Sequence, residues 1–576
     1  MAPLLRALWS LLLLRCLTES HARILSQGEL PQAQIHDDKL QSPLTPSQYK
    51  DTLRDLIHAI DVMQDEWFVL WEGTWPTGND WTRAVHGTHV SATLAALSAT
   101  ADDEQLESLF SDDDDDGEKE NRATQNSLAL ENLVSHFFAQ VTTFYFGENA
   151  FALRNQAFDD MLWVVLGWME NIKFQWLHSD LHYQDARSTG GRPWHGRQFQ
   201  IPAAHRVRIF YELASEGWDT TLCGGGMIWN PYLGPYKNAI TNELFISASI
   251  GMYLYFPGDR INDPFINSGE ESADGLTHDP VYLRTAEEAY RWLRHSNMTG
   301  IFDLYADGYH VRGYRNPKEP GTRKCDVLNT MVYTYNQGVI LSGLRGLWLA
   351  TGSDEYLTDG HELVQNVQRA TGWPNIYDQH WKGLGRAGII EDTCDSKGDC
   401  SQDGQTFKGI FWHHFAEFCR PLRPQEERFL KSQSWAQDKG FERAFGVHQA
   451  LCSTYRPWIE HNAHAALITR NEDGKFGTWW GRRYREFDDN SAASHDSPLP
   501  HGATDYRNHP DSVPPFWSMN ATALASEKAE PQDKQPEYND RGRGRTVETQ
   551  SGGVAVLRAL LQWKSAPSLQ GDFVDI

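Results

Sequence analysis

Two adjacent carboxylates are the first residues in this chain whose types and spacing point to chemistry. Asp159 and Asp160 stand just before an amphipathic run that begins at Met161, so both fall in the first turn of a helix or in the loop feeding it. Acids are common at such positions for an ordinary reason, since the positive end of the helix dipole stabilises them. Neighbouring carboxylates also repel, and burial pushes one pKa up. One ionised carboxylate beside one protonated acid is the pair that glycoside hydrolysis requires. Taken alone, the pair supports either reading.

The surroundings favour a sugar. Trp218 to Trp229 encloses the triplet Gly224-Gly225-Gly226, and Asn238, Asn242 and Glu243 follow closely. Glycines let a backbone turn tightly and leave room for a ligand above it. Aromatic rings pack on the C–H faces of sugars while uncharged amides bond the hydroxyls. Tyr335-Asn336-Gln337-Gly338 and Gly477-Thr478-Trp479-Trp480 repeat that chemistry. Any one of the 22 tryptophans fits a core equally well, but many stand beside Asn, Gln and Gly.

Two competing chemistries fail. His86-Gly87-Thr88-His89 resembles the histidine motif of subtilisin-type proteases, yet no Gly-Thr-Ser nucleophile follows and no Asp-Ser/Thr-Gly precedes it. An ordinary helix start accounts for it better. A zinc site would recruit His413, His414, His461 and His464, but no CxxC pair or HExxH frame accompanies them. No metal and no cofactor are expected.

Helices must position these groups. Thr45-Pro46-Ser47-Gln48 forms a capping box with Pro at the first helical position. Leu53, Leu56, Ile57, Ile60, Met63 and Trp67 follow at helical spacing, as do Leu162, Val165, Leu166, Met169 and Ile172. Val339 to Ala350 is a third helix closed by Gly352, and Ser353 caps a fourth towards Ala370. Helix returns at Val547 to Gln562, and no stretch shows sustained strand alternation. The fold class read here is all-α, with room for roughly a dozen helices.

Composition bounds the rest. A net charge of -25 excludes a nucleic-acid partner, which needs clustered Lys and Arg. Residues 1–22 read as a secretory signal ending at Ser20-His21-Ala22, which leaves 23–576 as one large domain. No later run is apolar enough for stable membrane insertion, and the C-terminus lacks a lipid-anchor tail. Six cysteines then remain, an even number that reads as disulfides in an exported chain, with Cys394 and Cys400 close enough for a local bridge. Asn297 and Asn520 head glycosylation sequons. Two segments interrupt the helical pattern: an acidic insert at 101–125, with eleven acids in its first twenty residues, and a proline-rich loop at 491–546.

The ordered motifs together resemble glycoside hydrolase family 76, the endo-α-1,6-mannanases of fungi. The resemblance runs through Asp61 to Glu66, Gly73-Thr74-Trp75-Pro76, Phe158-Asp159-Asp160-Met161, Cys223 to Gly226 and Tyr236 to Glu243. It continues through Tyr335 to Gly338, Phe407-Lys408-Gly409-Ile410-Phe411 and Glu548-Thr549-Gln550-Ser551. It implies an (α/α)6 toroid with a cleft at one end and a retaining mechanism, with Asp159 as nucleophile and Asp160 as acid/base. It also implies a substrate-binding set of Trp75, Trp229, Asn238, Asn242, Glu243, Tyr335, Asn336, Gln337, Lys408, Trp479 and Trp480. The partner would be α-1,6-mannan or a mannose-containing wall glycan, hydrolysed outside the cell. Transfer of the mannosyl unit to another wall glycan, or silent mannan binding, are the alternatives. Met227-Ile228-Trp229-Asn230 stands where many relatives resemble Ile-Trp-Trp-Asp, so the outer subsites differ.

Overall fold

A computed structural model describes residues 46–100, 119–144, 156–183, 194–259, 261, 277–481, 497–509 and 537–565. The signal segment 1–22, residues 101–118 of the acidic insert, residues 510–536 of the proline-rich loop and Asn520 lie outside the described residues.

Helices alternate between an outer and an inner position as the chain advances. Outer α1 (Pro46–Trp67) leads to inner α2 (Asp80–Ala99), then outer α3 (Lys119–Thr143) to inner α4 (Phe158–His182). Outer α5 (Gln200–Ser215) leads to inner α6 (Ala239–Tyr255), and outer α7 (Pro280–His295) to inner α8 (Val339–Thr351). Outer α9 (Glu355–Thr371) precedes inner α10 (Gln402–Cys419). A short α11 (Pro424–Ser432) and the outer pair α12 (Lys439–Thr454) and α13 (Arg456–Ile468) then lead to inner α14 (Val547–Ser565). Each inner helix packs on the next, and α14 closes the ring against α2. This is the (α/α)6 toroid.

The two helix classes differ in the faces they bury. Outer α7 buries Ala286, Ala289, Tyr290 and Leu293, a single stripe at helical spacing. Inner α6 is buried on nearly every face, from Ala239 through Met252, because it has neighbours on all sides. Pro46 opens α1 at the expected position, and Gly352 closes α8 with φ +74°. The N-cap of α9 is Asp354, one residue beyond the expected Ser353. His86 to Ala92 lies well inside α2 and is buried, so it is helix interior and not a helix start.

Short strands appear where the sequence shows none. β1 (Tyr236–Asn238), β2 (Gly308–Val311) and β3 (Cys325–Asn329) form an antiparallel sheet, with Tyr236 opposite His310 and Gly308 opposite Asn329. A two-residue hairpin, β4 (Gly385–Arg386) and β5 (Ile389–Ile390), lies in the loop before α10. Strands of two to five residues are too brief to show alternation. β1 runs directly into α6, so the sheet sits at the N-terminal end of that inner helix. Three disulfides pair all six cysteines: Cys223–Cys325, Cys394–Cys400 and Cys419–Cys452.

Candidate active site

Strict alternation makes the inner helices parallel, so their N-termini gather at one end of the ring. That end concentrates positive helix-dipole potential, and acids collect on it. Asp80 lies in the first turn of α2, Asp159 and Asp160 in that of α4, Asp403 in that of α10 and Glu548 in that of α14. Hydrogen bonds tie these termini together. Asn79, the N-cap of α2, donates its side-chain amide to Asp403 at 2.7 Å, and the indole of Trp81 donates to the same carboxylate at 3.0 Å. Gln402 and Thr82 both donate to Glu548, each at 2.9 Å.

Asp159 and Asp160 have different environments. Asp159 is 4% exposed, and its Oδ1 accepts from the Asp160 backbone N–H at 3.1 Å. Burial raises its pKa from 3.8 to about 6, while Arg507 and the indole of Trp229 pull in the other direction. The Arg507 guanidinium lies 3.6 Å from Asp159 Oδ2 and 4.8 Å above the Trp229 ring. Asp160 is partly exposed at the mouth. Burial, then the negative charges of Asp159, Asp80 and Asp403, push it well above the usual carboxylate range. One carboxyl is thus held ready to ionise beside another held protonated.

Arg507 comes from the loop read as proline-rich surface chain. Residues 497–509 of that loop pack into the site. Asp505 accepts from the Tyr333 hydroxyl at 2.7 Å and from the Asn508 amide at 2.9 Å, which anchors the turn carrying Arg507. Asp307, also near Arg507, accepts from Tyr236 at 2.5 Å and from Asn329 at 3.1 Å, so β1, β2 and β3 supply a second wall. Arg507, Asp403, Asp80, Trp81 and Asp307 are site residues that sequence reasoning missed.

The expected substrate-binding residues divide sharply. Trp229 is at the pair: its carbonyl accepts from Phe158 N–H at 2.9 Å, which fixes the start of α4. Tyr335 stacks on Phe407 with centroids 3.9 Å apart, and it belongs to the electrostatic surroundings of Arg507. Asn242 acts from behind, accepting from Met227 N–H at 2.8 Å and donating to Asn238 O at 2.8 Å. It therefore holds the loop that presents Trp229. Asn238 is the side-chain N-cap of α6.

The remaining members of that set turn inward. Trp75 is fully buried, donates to Gln64 at 3.0 Å and meets Phe68 edge-on. Gln337 spends its amide on the carbonyls of Tyr305 and Tyr333. Lys408 pairs with Asp395 at 2.6 Å, inside the loop closed by Cys394–Cys400. Trp479 and Trp480 are buried, and the Trp480 indole donates to Gly477 O at 3.2 Å. Glu243 and Asn336 are also fully buried, without hydrogen-bond partners for their side chains among the described residues, and burial pushes Glu243 well above its usual range. These side chains are packed inside the wall of the site and not on its open face.

The glycine triplet has a different purpose from the one its sequence suggests. Gly224, Gly225 and Gly226 have φ of +68°, +139° and +90°. Their carbonyl side wraps Lys237, whose Nζ donates to the carbonyls of Asp219, Leu222, Gly225 and Gly226 at 2.5 to 3.0 Å. A Cβ on Gly226 would meet the Trp292 ring at 2.5 Å. Trp292 thus fills the space above Gly225 and Gly226, while no atom lies within 4 Å of a Cβ placed on Gly224. Asn297, by contrast, is exposed on the turn after α7, as a glycosylation acceptor must be.

Residues 273–437 match Glycosyl hydrolase family 76. The chain is 25% identical over 223 residues to Mannan endo-1,6-alpha-mannosidase DFG5 of Candida albicans, covering 37% of this chain and 41% of that one. It is 25% identical over 248 residues to Mannan endo-1,6-alpha-mannosidase DCW1 of Candida glabrata, covering 42% and 46%. The matched part thus spans less than half the length of these curated relatives. Among solved structures, Dfg5 from Chaetomium thermophilum in complex with glucosamine aligns over 90% of this chain and 92% of its own, at TM-score 0.49 and 13% identity. The GH76A alpha-1,6-mannanase from Salegentibacter sp. HEL1_6 aligns over 89% and 98%, at TM-score 0.44 and 15% identity.

Proposed function

We propose that this chain belongs to glycosyl hydrolase family 76 and is an exported, retaining endo-hydrolase of α-1,6-linked mannan. The observation that carries the reading is the opposed protonation of the pair. Burial raises both pKa values, but Arg507 and Trp229 partly offset it at Asp159, while at Asp160 three neighbouring carboxylates add to it and keep the proton there. In the first step the Asp159 carboxylate attacks the anomeric carbon as Asp160 gives its proton to the departing glycosidic oxygen. A covalent mannosyl ester on Asp159 results. Asp160, now ionised, takes a proton from water as that water attacks the same carbon. Two inversions restore the α configuration and return both carboxyls to their starting states. Carboxyls on consecutive residues suit this double displacement, which needs a separation of about 5 Å.

Support for the substrate class comes from the aromatic mouth and from the names of the relatives. Trp229 flanks the pair, and Trp71 is 87% exposed on the α1–α2 loop at the same end of the ring. Support for export comes from the apolar segment 1–22 and the three disulfides, which persist in oxidising compartments. Incubation of purified protein with unbranched α-1,6-mannan, with products resolved by size, tests the reading. Short α-1,6-oligosaccharides appearing early are the expected outcome. Products longer than the input would indicate transfer to carbohydrate, and an unchanged polymer would refute catalysis on this substrate.

A further inference from the structure

About 20 Å along α4 from the carboxylate pair, the ring holds a second charged cluster that the reaction does not use. Lys173, Arg345, Arg420, Arg423 and Arg558 converge there on Glu170, Glu417 and Glu426, and none is more than 9% exposed. Glu417 is the hub: Lys173 lies at 3.1 Å, Arg420 at 2.7 Å, Arg558 at 3.3 Å and Arg423 at 3.4 Å. Glu426 is shared by Arg345 at 3.1 Å and Arg420 at 2.5 Å, and Glu170 is held by Lys173 and Arg423.

The charges do not balance. Among the described residues, five cations face three carboxylates, an excess of two positive charges. Burial works against ionisation of Glu417 and Glu426, yet the cations around them hold both well below the usual range, so neither carboxylate is lost. His413 and His414 neither add to the excess nor relieve it, because burial pushes both pKa values down, that of His414 to about 3. Arg345 also donates to the carbonyls of Arg420 and Pro421, at 3.3 and 3.4 Å. Such carbonyls, like the C-terminal ends of the inner helices, contribute partial charges only. Arg345 Nε and Arg423 Nη1 keep no hydrogen-bond partner among the described residues. An excess charge so deeply placed is strongly unfavourable without a counter-ion.

A cavity lies at the centre of this cluster. It measures about 50 Å³ and is lined by Lys173, Arg345 and Arg420, by the carboxylates Glu170 and Glu417, and by His414 and Tyr255, so three cations face two carboxylates across its wall. A groove of about 400 Å³ at the C-terminal end of the ring shares Tyr255 with it and connects it to the surface; Arg197 and Arg428 line that groove together with Asp180 and Glu426, and Arg428 pairs with Asp180 at 2.5 Å. We propose that this cavity is an internal binding site for one small monovalent inorganic anion of the size of chloride. The ion links α4, α6, α8 and α10 at the end of the ring opposite the catalytic mouth, and it supports stability without taking part in the reaction.

Crystals of the full chain soaked in sodium bromide test the site directly, since bromide scatters anomalously. A peak within the cavity, between Lys173, Arg345 and Arg420, is the expected result. Bromide confined to the surface overturns the proposal. In solution, the melting temperature is measured in chloride and in gluconate at equal ionic strength and pH. The expected outcome is a higher value in chloride, by a few degrees, growing with the logarithm of its concentration. Equal values in the two salts overturn the proposal as well. Arg345→Met removes one cation from the cavity wall while Arg420 retains Glu426, so the chloride increment should shrink with turnover on mannan unchanged. A full chloride increment in that variant would also count against the site.

Discussion

Arg507 lies 3.6 Å from Asp159 and favours its ionised form, and it was the least legible residue in the site. It lies 348 positions from Asp159 in a stretch rich in Pro and Ser, and only folding brings the guanidinium to 3.6 Å. The aspartates were legible because they are adjacent, and adjacency guarantees mutual repulsion in any fold. Asp80 and Asp403 were not, since single acids in first turns are everywhere. Loss of Arg507 should therefore move the acidic limb of kcat/KM. Arg507 lowers the Asp159 pKa, so Arg507→Met raises it above its present value of about 6, and the limb should shift to higher pH. An unmoved limb in a folded variant would remove Arg507 from the mechanism. Stability supplies a second check. Asp159 and Asp160 have folded pKa values above their unfolded ones, so their contribution is most favourable below about pH 4 and worsens as pH rises through the folded values. For Asp159 the penalty at neutral pH is on the order of 3 kcal/mol, from a shift of 3.8 to about 6. Asp160→Asn should raise the melting temperature at pH 7 and leave it almost unchanged near pH 3. A variant destabilised at pH 7 would show that the pair is not strained.

Helices made most of the architecture readable, but with a bias. Amphipathic outer helices α1 and α9 announced themselves through one apolar stripe each. Inner α6 did not, because a helix buried on all faces has no stripe to detect. The same ambiguity misplaced the aromatic residues. Trp75, Trp479 and Trp480 stand beside amides and glycines in the sequence, yet their rings fill the spaces behind the cleft. Trp71, on the loop between α1 and α2, carried no comparable motif and is the exposed one. Trp71→Ala should raise KM for long mannan by about 2- to 10-fold, the equivalent of one lost ring contact. Its kcat on an aryl mannoside should stay unchanged, because that substrate does not reach the loop. Equal losses on both substrates would mean that Trp71 holds the α1–α2 connection and not a sugar.

Across the whole molecule, one ring of parallel inner helices does two opposite electrostatic jobs. At the N-terminal end it gathers carboxylates, and at the C-terminal end it gathers guanidinium groups. The disulfides stabilise the connections between these layers: Cys223–Cys325 joins the glycine-triplet loop to β3, and Cys419–Cys452 joins α10 to α12. Intact-mass analysis of denatured, unreduced protein after alkylation should show no modified cysteine, whereas six adducts would contradict the oxidised fold. The division of labour between the two aspartates is the central claim, and aryl α-mannoside kinetics test it most directly. Asp159→Ala removes the nucleophile, so turnover should vanish even with an excellent leaving group. Asp160→Ala should lose about 10²- to 10⁴-fold on mannan, where the leaving oxygen needs a proton, but far less in the first step on an aryl mannoside. Azide should then restore its turnover and yield an α-mannosyl azide, made by attack on the face opposite Asp159, which leaves as its carboxylate. Near-normal turnover in Asp159→Ala, or a β-configured azide product from Asp160→Ala, would contradict the account.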